Sequence, residues 1–210
     1  MILCMYLQSM CFIALRPDFN TTLTQICNIV CLGIRCHSLH LTLFGRCLSC
    51  KLPRKVWCAC RMAEDNLPFL FFSYMFWTDW GNKSKIEKCG MNGDPKSRHV
   101  IVNKNVGWPN GLTIDYTLNR IWWTDAKTGL DTIESADLNG NHRRIVLKSG
   151  SVKHPFGISV FQDSIYWTDW NGRRLLKANK FTGGEEVELV VNLLSVMNLV
   201  VFHQQRQPLG

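Results

Sequence analysis

Acidic side chains are almost missing from the first third of this 210-residue chain, where Asp18 is the sole carboxylate before Glu64. That excludes a calcium-stabilised disulfide module there, because calcium takes about six to eight oxygen ligands. Tryptophan is equally scarce: Trp57 alone precedes residue 77, and seven follow. Cysteine does the reverse, with nine of ten at or before Cys60 and only Cys89 beyond. No apolar run reaches the roughly 20 residues of a membrane helix, although Leu189 to Phe202 is rather apolar. Met1 to Leu15 lacks the basic start of a secretory signal, and Arg16-Pro17 closes it early. Nucleophile elbow, glycine-rich phosphate loop and His-Glu-x-x-His are all missing, so neither catalysis nor a cofactor is expected. A basic arm is missing too. Net charge is +8, and residues 1–75 hold seven Lys/Arg and three Asp/Glu, 7 − 3 = +4, leaving +4 for the rest. An excess so evenly divided argues against nucleic acid as a partner.

Two kinds of sequence therefore meet near residues 66–75. Residues 1–70 form an unassigned Cys-rich segment with no sustained period of 2 or 3.6 and few turn signals. Cys47-x-x-Cys50 with Cys58-x-Cys60 has partial zinc-site spacing, but the single residue in the second pair strains a shared tetrahedron. A small disulfide module is the other functional reading. The plainer reading is an irregular segment, from an alternative or mis-assigned exon, that forms no domain of its own.

What is present beyond residue 74 is a repeat. Phe76-Trp77-Thr78-Asp79, Trp122-Trp123-Thr124-Asp125 and Tyr166-Trp167-Thr168-Asp169 place tryptophans at intervals of 123 − 77 = 46 and 167 − 123 = 44 residues. Pro109-Asn110-Gly111 and Pro155-Phe156-Gly157 recur ahead of the second and third copies. Four short strands fit each period: in the second unit, Gly111 to Asp115, Ile121 to Asp125, Thr132 to Leu138 and Arg143 to Leu147. Such a unit is one blade of a β-propeller. Both faces of a blade pack on neighbours, so adjacent aromatic residues on one strand each meet a different sheet. Gly111 and Gly157 suit the crowded innermost strand. The aspartates end their strands, where a carboxylate can accept N–H bonds from the following turn. A copy in every blade marks them as structural. Cys89 has no partner within the repeats and reads as a buried thiol.

These phrases, in this register and with Trp-Pro-Asn-Gly-Leu-Thr-Ile-Asp at 108–115, resemble the class B, or YWTD, repeats of the low-density lipoprotein receptor family. Ala136 to Gly140, His154 to Gly157 and Lys177 to Gly183 resemble its large endocytic members in particular. The resemblance covers about residues 74–208. It implies an all-β fold, an incomplete six-bladed propeller of about three blades of four antiparallel strands. By the resemblance a strand at 197–202 closes the family's ring on its first blade, which is absent here, and the blades present fall at about 74–102, 106–147 and 154–191, matching the family's fourth to sixth. By that comparison the first of them lacks its inner strand, and the isolated chain is expected to be marginal or self-associating through open blade faces.

Partner binding is the function that remains. Trp80 and Trp170 follow the strand-ending aspartates, where exposed aromatics commonly anchor interfaces. The resemblance places contact residues at Trp80 and Lys127; for Trp170 position alone argues. The partners implied are protein ligands, or the receptor's own modules in cis, with the membrane reached only through a parent receptor. His154, before Pro155, is the candidate pH sensor, since histidine changes charge between about pH 5 and 8. Asn82-Lys83-Ser84 is a glycosylation sequon in a turn, and Asn20-Thr21-Thr22 is a second. The expected function is a non-catalytic, extracellular propeller of an endocytic receptor, serving ligand binding and release at the plasma membrane and in endosomes. The alternatives are an intracellular WD-type scaffold, or a truncated product without independent function. A WD blade ends its strand in Trp-Asp after an upstream Gly-His, which these repeats do not.

Overall fold

The computed structural model describes residues 2–7, 10–15, 56–61, 74–90, 94–148, 150, 152–194 and 196–201. Ile2–Leu7 (β1) and Met10–Leu15 (β2) form an antiparallel pair. Three four-stranded antiparallel sheets follow. The first holds Val56–Arg61 (β3), Tyr74–Asp79 (β4), Lys85–Gly90 (β5) and His99–Val102 (β6). The second holds Pro109–Asp115 (β7), Arg120–Asp125 (β8), Thr132–Asp137 (β9) and Arg144–Lys148 (β10). The third holds Pro155–Phe161 (β11), Ser164–Asp169 (β12), Arg174–Asn179 (β13) and Val187–Val190 (β14). Val196–Val201 (β15) lies beside β11 and pairs in parallel with β2. These are successive propeller blades whose inner strands are neighbours in the order β3, β7, β11, β15.

Two placements differ from the sequence expectation. Strand β3 fills the inner position of the first blade, pairing with β4 from Val56↔Asp79 to Arg61↔Tyr74. The segment before residue 70 thus supplies three strands. Strand β15, expected to close a six-bladed ring on a blade other than these three, pairs with β2 of the N-terminal segment. An exposed row of backbone N–H and C=O groups takes whichever strand reaches it, and hydrophobic periodicity does not say which that is. Cys89 is a third correction: it is fully buried, but disulfide-bonded rather than a free thiol. The possible zinc ligands Cys47, Cys50, Cys58 and Cys60, and the sequon at Asn20, lie outside the described side chains. Among the described residues no group of three or more His, Cys, Asp or Glu is placed to hold a metal ion.

The aromatic phrase packs by parity. Phe76 and Trp123 share the cluster between the first and second blades, with Ile86, Leu112, Ile121 and Ala136. Trp122 and Trp167 share the next, with Ile133, Ile158, Ile165 and Leu176. The first aromatic of each phrase thus faces the next blade and the second faces the previous one. The four buried tryptophans and Phe76 are among the largest side chains fully removed from water, each burial stabilising by about 2 to 3 kcal/mol.

The threonine of the phrase pins neighbouring blades together. Thr124 Oγ1 accepts from Gly111 N at 2.9 Å and donates to Phe156 O of the next inner strand at 2.7 Å. Thr168 does the same with Gly157 N and Met197 O, at 2.7 and 2.8 Å. Thr78 Oγ1 donates to Asn110 O at 2.8 Å. The pairing register of β7 with β8 shifts between Pro109 and Leu112, and that of β11 with β12 between Pro155 and Ile158. Those bulges free the glycine N–H for the hydroxyl. A Cβ on Gly111 would stand 2.3 Å from Phe156 O, and one on Gly157 2.6 Å from Met197 O.

Charged groups reinforce the blades. Glu87, opposite Trp77 on the neighbouring strand, accepts from Arg98 Nε at 3.0 Å, Arg98 Nη2 at 2.8 Å and Trp77 Nε1 at 3.2 Å. The Arg98 guanidinium also lies 5.3 Å from the Trp77 ring centre. Burial works against the Glu87 charge, but the hydrogen bonds and charge of Arg98, helped by Lys85, outweigh it and hold the carboxyl below its ordinary range. The second blade repeats the ion pair and the guanidinium–indole contact with Glu134, Arg143 and Trp123, without the indole N–H bond.

Candidate functional site

In each blade the strand-2-to-3 loop and the incoming connector from the previous blade emerge at the same end. These segments are 80–84, 103–108, 126–131, 152–154 and 170–173. Asp125 shows how the end is built. Its carboxylate accepts Gly107 N at 2.7 Å, Trp108 N at 2.7 Å and Lys127 N at 3.1 Å, so one side chain holds connector and loop together. Ala126 N donates to Trp108 O, and in the third blade Trp170 N donates to His154 O. Gly107 leaves no room for a Cβ because the Lys127 stem crosses it, with Cβ, Cγ and Cδ within 2.4 to 2.5 Å of where that atom would lie. The Lys127 side chain is thereby laid beside Trp108 while remaining exposed.

An aromatic row runs across two blades. The His154 ring lies 6.4 Å from that of Trp108 and 5.1 Å from that of Trp170, and Phe156 meets Trp170 edge-on at 5.9 Å. His154 adopts φ 50°, in the left-handed region that few non-glycine residues enter. Asp131 Oδ1 accepts its backbone N–H at 3.1 Å. Trp108 and Trp170 are each 46% exposed and Trp80 is 36% exposed. Large indoles held open by a backbone-bonded frame are the geometry of a docking surface.

Of the residues singled out from sequence, His154 and Trp170 are in contact, and Lys127 borders the same row through Gly107 and Trp108. Trp80 occupies the equivalent loop of the first blade. Asn82 is exposed in that loop, and Ser84 Oγ donates to Gly107 O at 2.5 Å. Trp108 was not singled out, although its place before Pro109, matching His154 before Pro155, was visible in the repeat. Asp79 caps its own turn through Gly81 N at 2.9 Å. Asp169 does so through Gly172 N at 2.7 Å while also pairing with Arg174.

Charge, evenly divided along the sequence, is sorted by the fold. The aromatic end exposes Lys83, Lys104, Lys127, Lys153 and Arg173, with Asp131 as the one carboxylate in its loops among the described residues. The opposite end exposes Asp94, Asp163, Glu185 and Glu186 together with Lys96 and Arg144. Strand alternation sends every second loop to one end, which a count along the chain does not register.

Residues 73–116 and 119–162 match the model for the low-density lipoprotein receptor repeat class B. Together with the blade architecture and the Thr-pinned phrases, this defines a YWTD propeller. Residues 73–162 therefore carry class B repeats similar to those of the low-density lipoprotein receptor family. It is 37% identical over 134 residues to the vitellogenin receptor Yl of Drosophila melanogaster, and 42% identical over 118 residues to the vitellogenin receptor of Solenopsis invicta. Those alignments cover 64% and 56% of this chain, and each spans about 6% of the relative's length. A chain in the crystal structure of a nidogen/laminin complex aligns with a TM-score of 0.40 at 17% identity, over 61% of this chain and 63% of that one.

Proposed function

We propose that the chain is a non-catalytic, extracellular propeller stretch of an endocytic receptor, and that its aromatic, cationic end docks protein partners. The observation that carries this is the row Trp108, His154, Trp170 and Phe156, bordered by Lys127 and held open by Asp125. Exposed tryptophans in a rigid frame lose little entropy on binding, and the surrounding cations favour an acidic partner. Relatives named as vitellogenin receptors make vitellogenin the first ligand to test, with the acidic ligand-binding modules of such receptors as partners in cis. Protonation of His154, flanked by two indoles with Lys153 before it and Asp131 on its amide, supplies the acid-dependent step of ligand release.

The test is a surface-binding assay of the secreted chain, freed enzymatically of N-linked sugar, against vitellogenin and against one such module, at neutral and endosomal pH. Lys127→Ala and Trp170→Ala are expected to weaken binding by about tenfold or more. His154→Phe should leave neutral binding in place and abolish its acid dependence. Glu186→Ala, at the opposite end, serves as the control. Unchanged affinity in both the Lys127 and Trp170 variants would reject the docking surface.

A further inference from the structure

We infer that Asn82 carries an N-linked sugar that divides the docking surface, screening its first-blade side around Trp80 and Lys127 while leaving the Trp170, His154 and Phe156 side open. The inference rests on reading the chain as extracellular and this end as the docking surface. Three equivalent loops reach this end, Trp80-Gly81-Asn82-Lys83-Ser84, Ala126-Lys127-Thr128-Gly129 and Trp170-Asn171-Gly172-Arg173, and only the first contains Asn-x-Ser/Thr.

The loop holds the root of the sugar in place. Asp79 Oδ1 accepts Gly81 N at 2.9 Å, and Ser84 Oγ is within hydrogen-bond distance of Gly81 O at 3.3 Å and Gly107 O at 2.5 Å. Asn82 itself is exposed in the bend between these anchors. Gly107 is the residue crossed by the Lys127 stem, and Ser84, at the end of the sequon, bonds to it, so the attachment loop is tied to the connector that carries Trp108 and over which Lys127 lies. Asn82 is also two residues from Trp80. A bulky, hydrated chain rooted there covers the first-blade side of the surface. The cluster around Trp170 belongs to the third blade, beyond the second-blade loop that carries Lys127. The transfer needs a lipid diphosphate-linked oligosaccharide as co-reactant. Asn82 Nδ2 bonds to the anomeric carbon, the carbon–oxygen bond to the diphosphate breaks, and the amide gives up one proton as the lipid diphosphate leaves.

The experiment uses the full chain secreted from a eukaryotic cell behind a removable leader. Glycopeptide mass measures occupancy at Asn82. Hydroxyl-radical oxidation of Trp80 and Trp170, and acylation of Lys127, are then compared on the folded glycoprotein before and after enzymatic removal of the sugar. Expected is an occupied Asn82, with severalfold faster Trp80 oxidation and Lys127 acylation after removal and no change at Trp170. Ser84→Thr keeps both sequon and hydroxyl and should behave as the parent. An unoccupied Asn82 in secreted protein, equal labelling before and after removal, or equal protection of Trp170 would each overturn the inference. No partner enters the measurement, so failure of the docking proposal would leave its outcome readable.

Discussion

Lys180 and Asp115 form the most deeply buried ion pair among the described residues, with Nζ 2.8 Å from Oδ2 and each side chain 4% exposed. They lie 65 residues apart and join the β7–β8 turn of the second blade to the β13–β14 turn of the third. Asp115 Oδ1 is also occupied, accepting Thr117 N at 3.0 Å and Leu118 N at 3.1 Å. Removing one member leaves a buried charge without its counterion, which costs about 3 to 5 kcal/mol. Lys180→Met should therefore destabilise by about that much, because methionine keeps the stem packing and deletes the charge. Asp115→Asn should cost a similar amount, since its remaining oxygen still serves the turn while Lys180 loses its partner. With both changes no uncompensated charge remains, and the double variant should lie within about 2 kcal/mol of the parent. Urea unfolding of the four proteins at neutral pH gives the coupling directly, expected to exceed about 3 kcal/mol. Additivity to within about 0.5 kcal/mol would show that the two groups do not share one desolvated site, and would refute the reasoning.

Three further predictions concern the frame. Gly140 has φ 83° and an ideal Cβ there would stand 2.0 Å from Ile101 O, whereas Gly129 has φ 79° and nothing within 4 Å; Gly140→Ala should cost well over 2 kcal/mol and Gly129→Ala only about 1 to 2 kcal/mol, read from denaturation midpoints. Thr124→Val removes both bonds of one blade pin, leaving Gly111 N–H and Phe156 C=O without that partner, and should cost about 2 to 4 kcal/mol, with faster amide exchange at Gly111. Because the Glu87 carboxyl is held below its ordinary range, its ion pair contributes stability that is present above the ordinary glutamate value of about 4.3 and is lost as pH falls through the lower folded value. The stability gap between parent and Glu87→Gln should accordingly shrink in acid unfolding series below about pH 4, and a constant gap would contradict the assignment.

Much of the blade was legible because its physics is local. Adjacent apolar residues such as Trp122 and Trp123 can occur on one strand only when both faces are covered, and the two clusters containing them are the two blade interfaces. The Thr hydroxyl was not legible. Its acceptor, Phe156 O for Thr124, is a backbone atom 32 residues away, and any residue there would present the same carbonyl. Trp108 went unselected for a related reason: its exposure depends on Asp125 bonding its amide, and sequence position does not convey that contact.

Residue order by itself determined the period, the four strands of the second and third units, the aromatic parity and the turn-forming aspartates, since each follows from side-chain alternation and turn chemistry within one blade. Tertiary structure alone decided that β3 completes the first blade, that β15 pairs with β2, and that Cys89 is disulfide-bonded. It also decided that the described loops beside the exposed tryptophans carry several exposed cations and a single carboxylate. Those outcomes depend on which backbone edges and loops meet after the blades have packed, and no local pattern encodes the meeting.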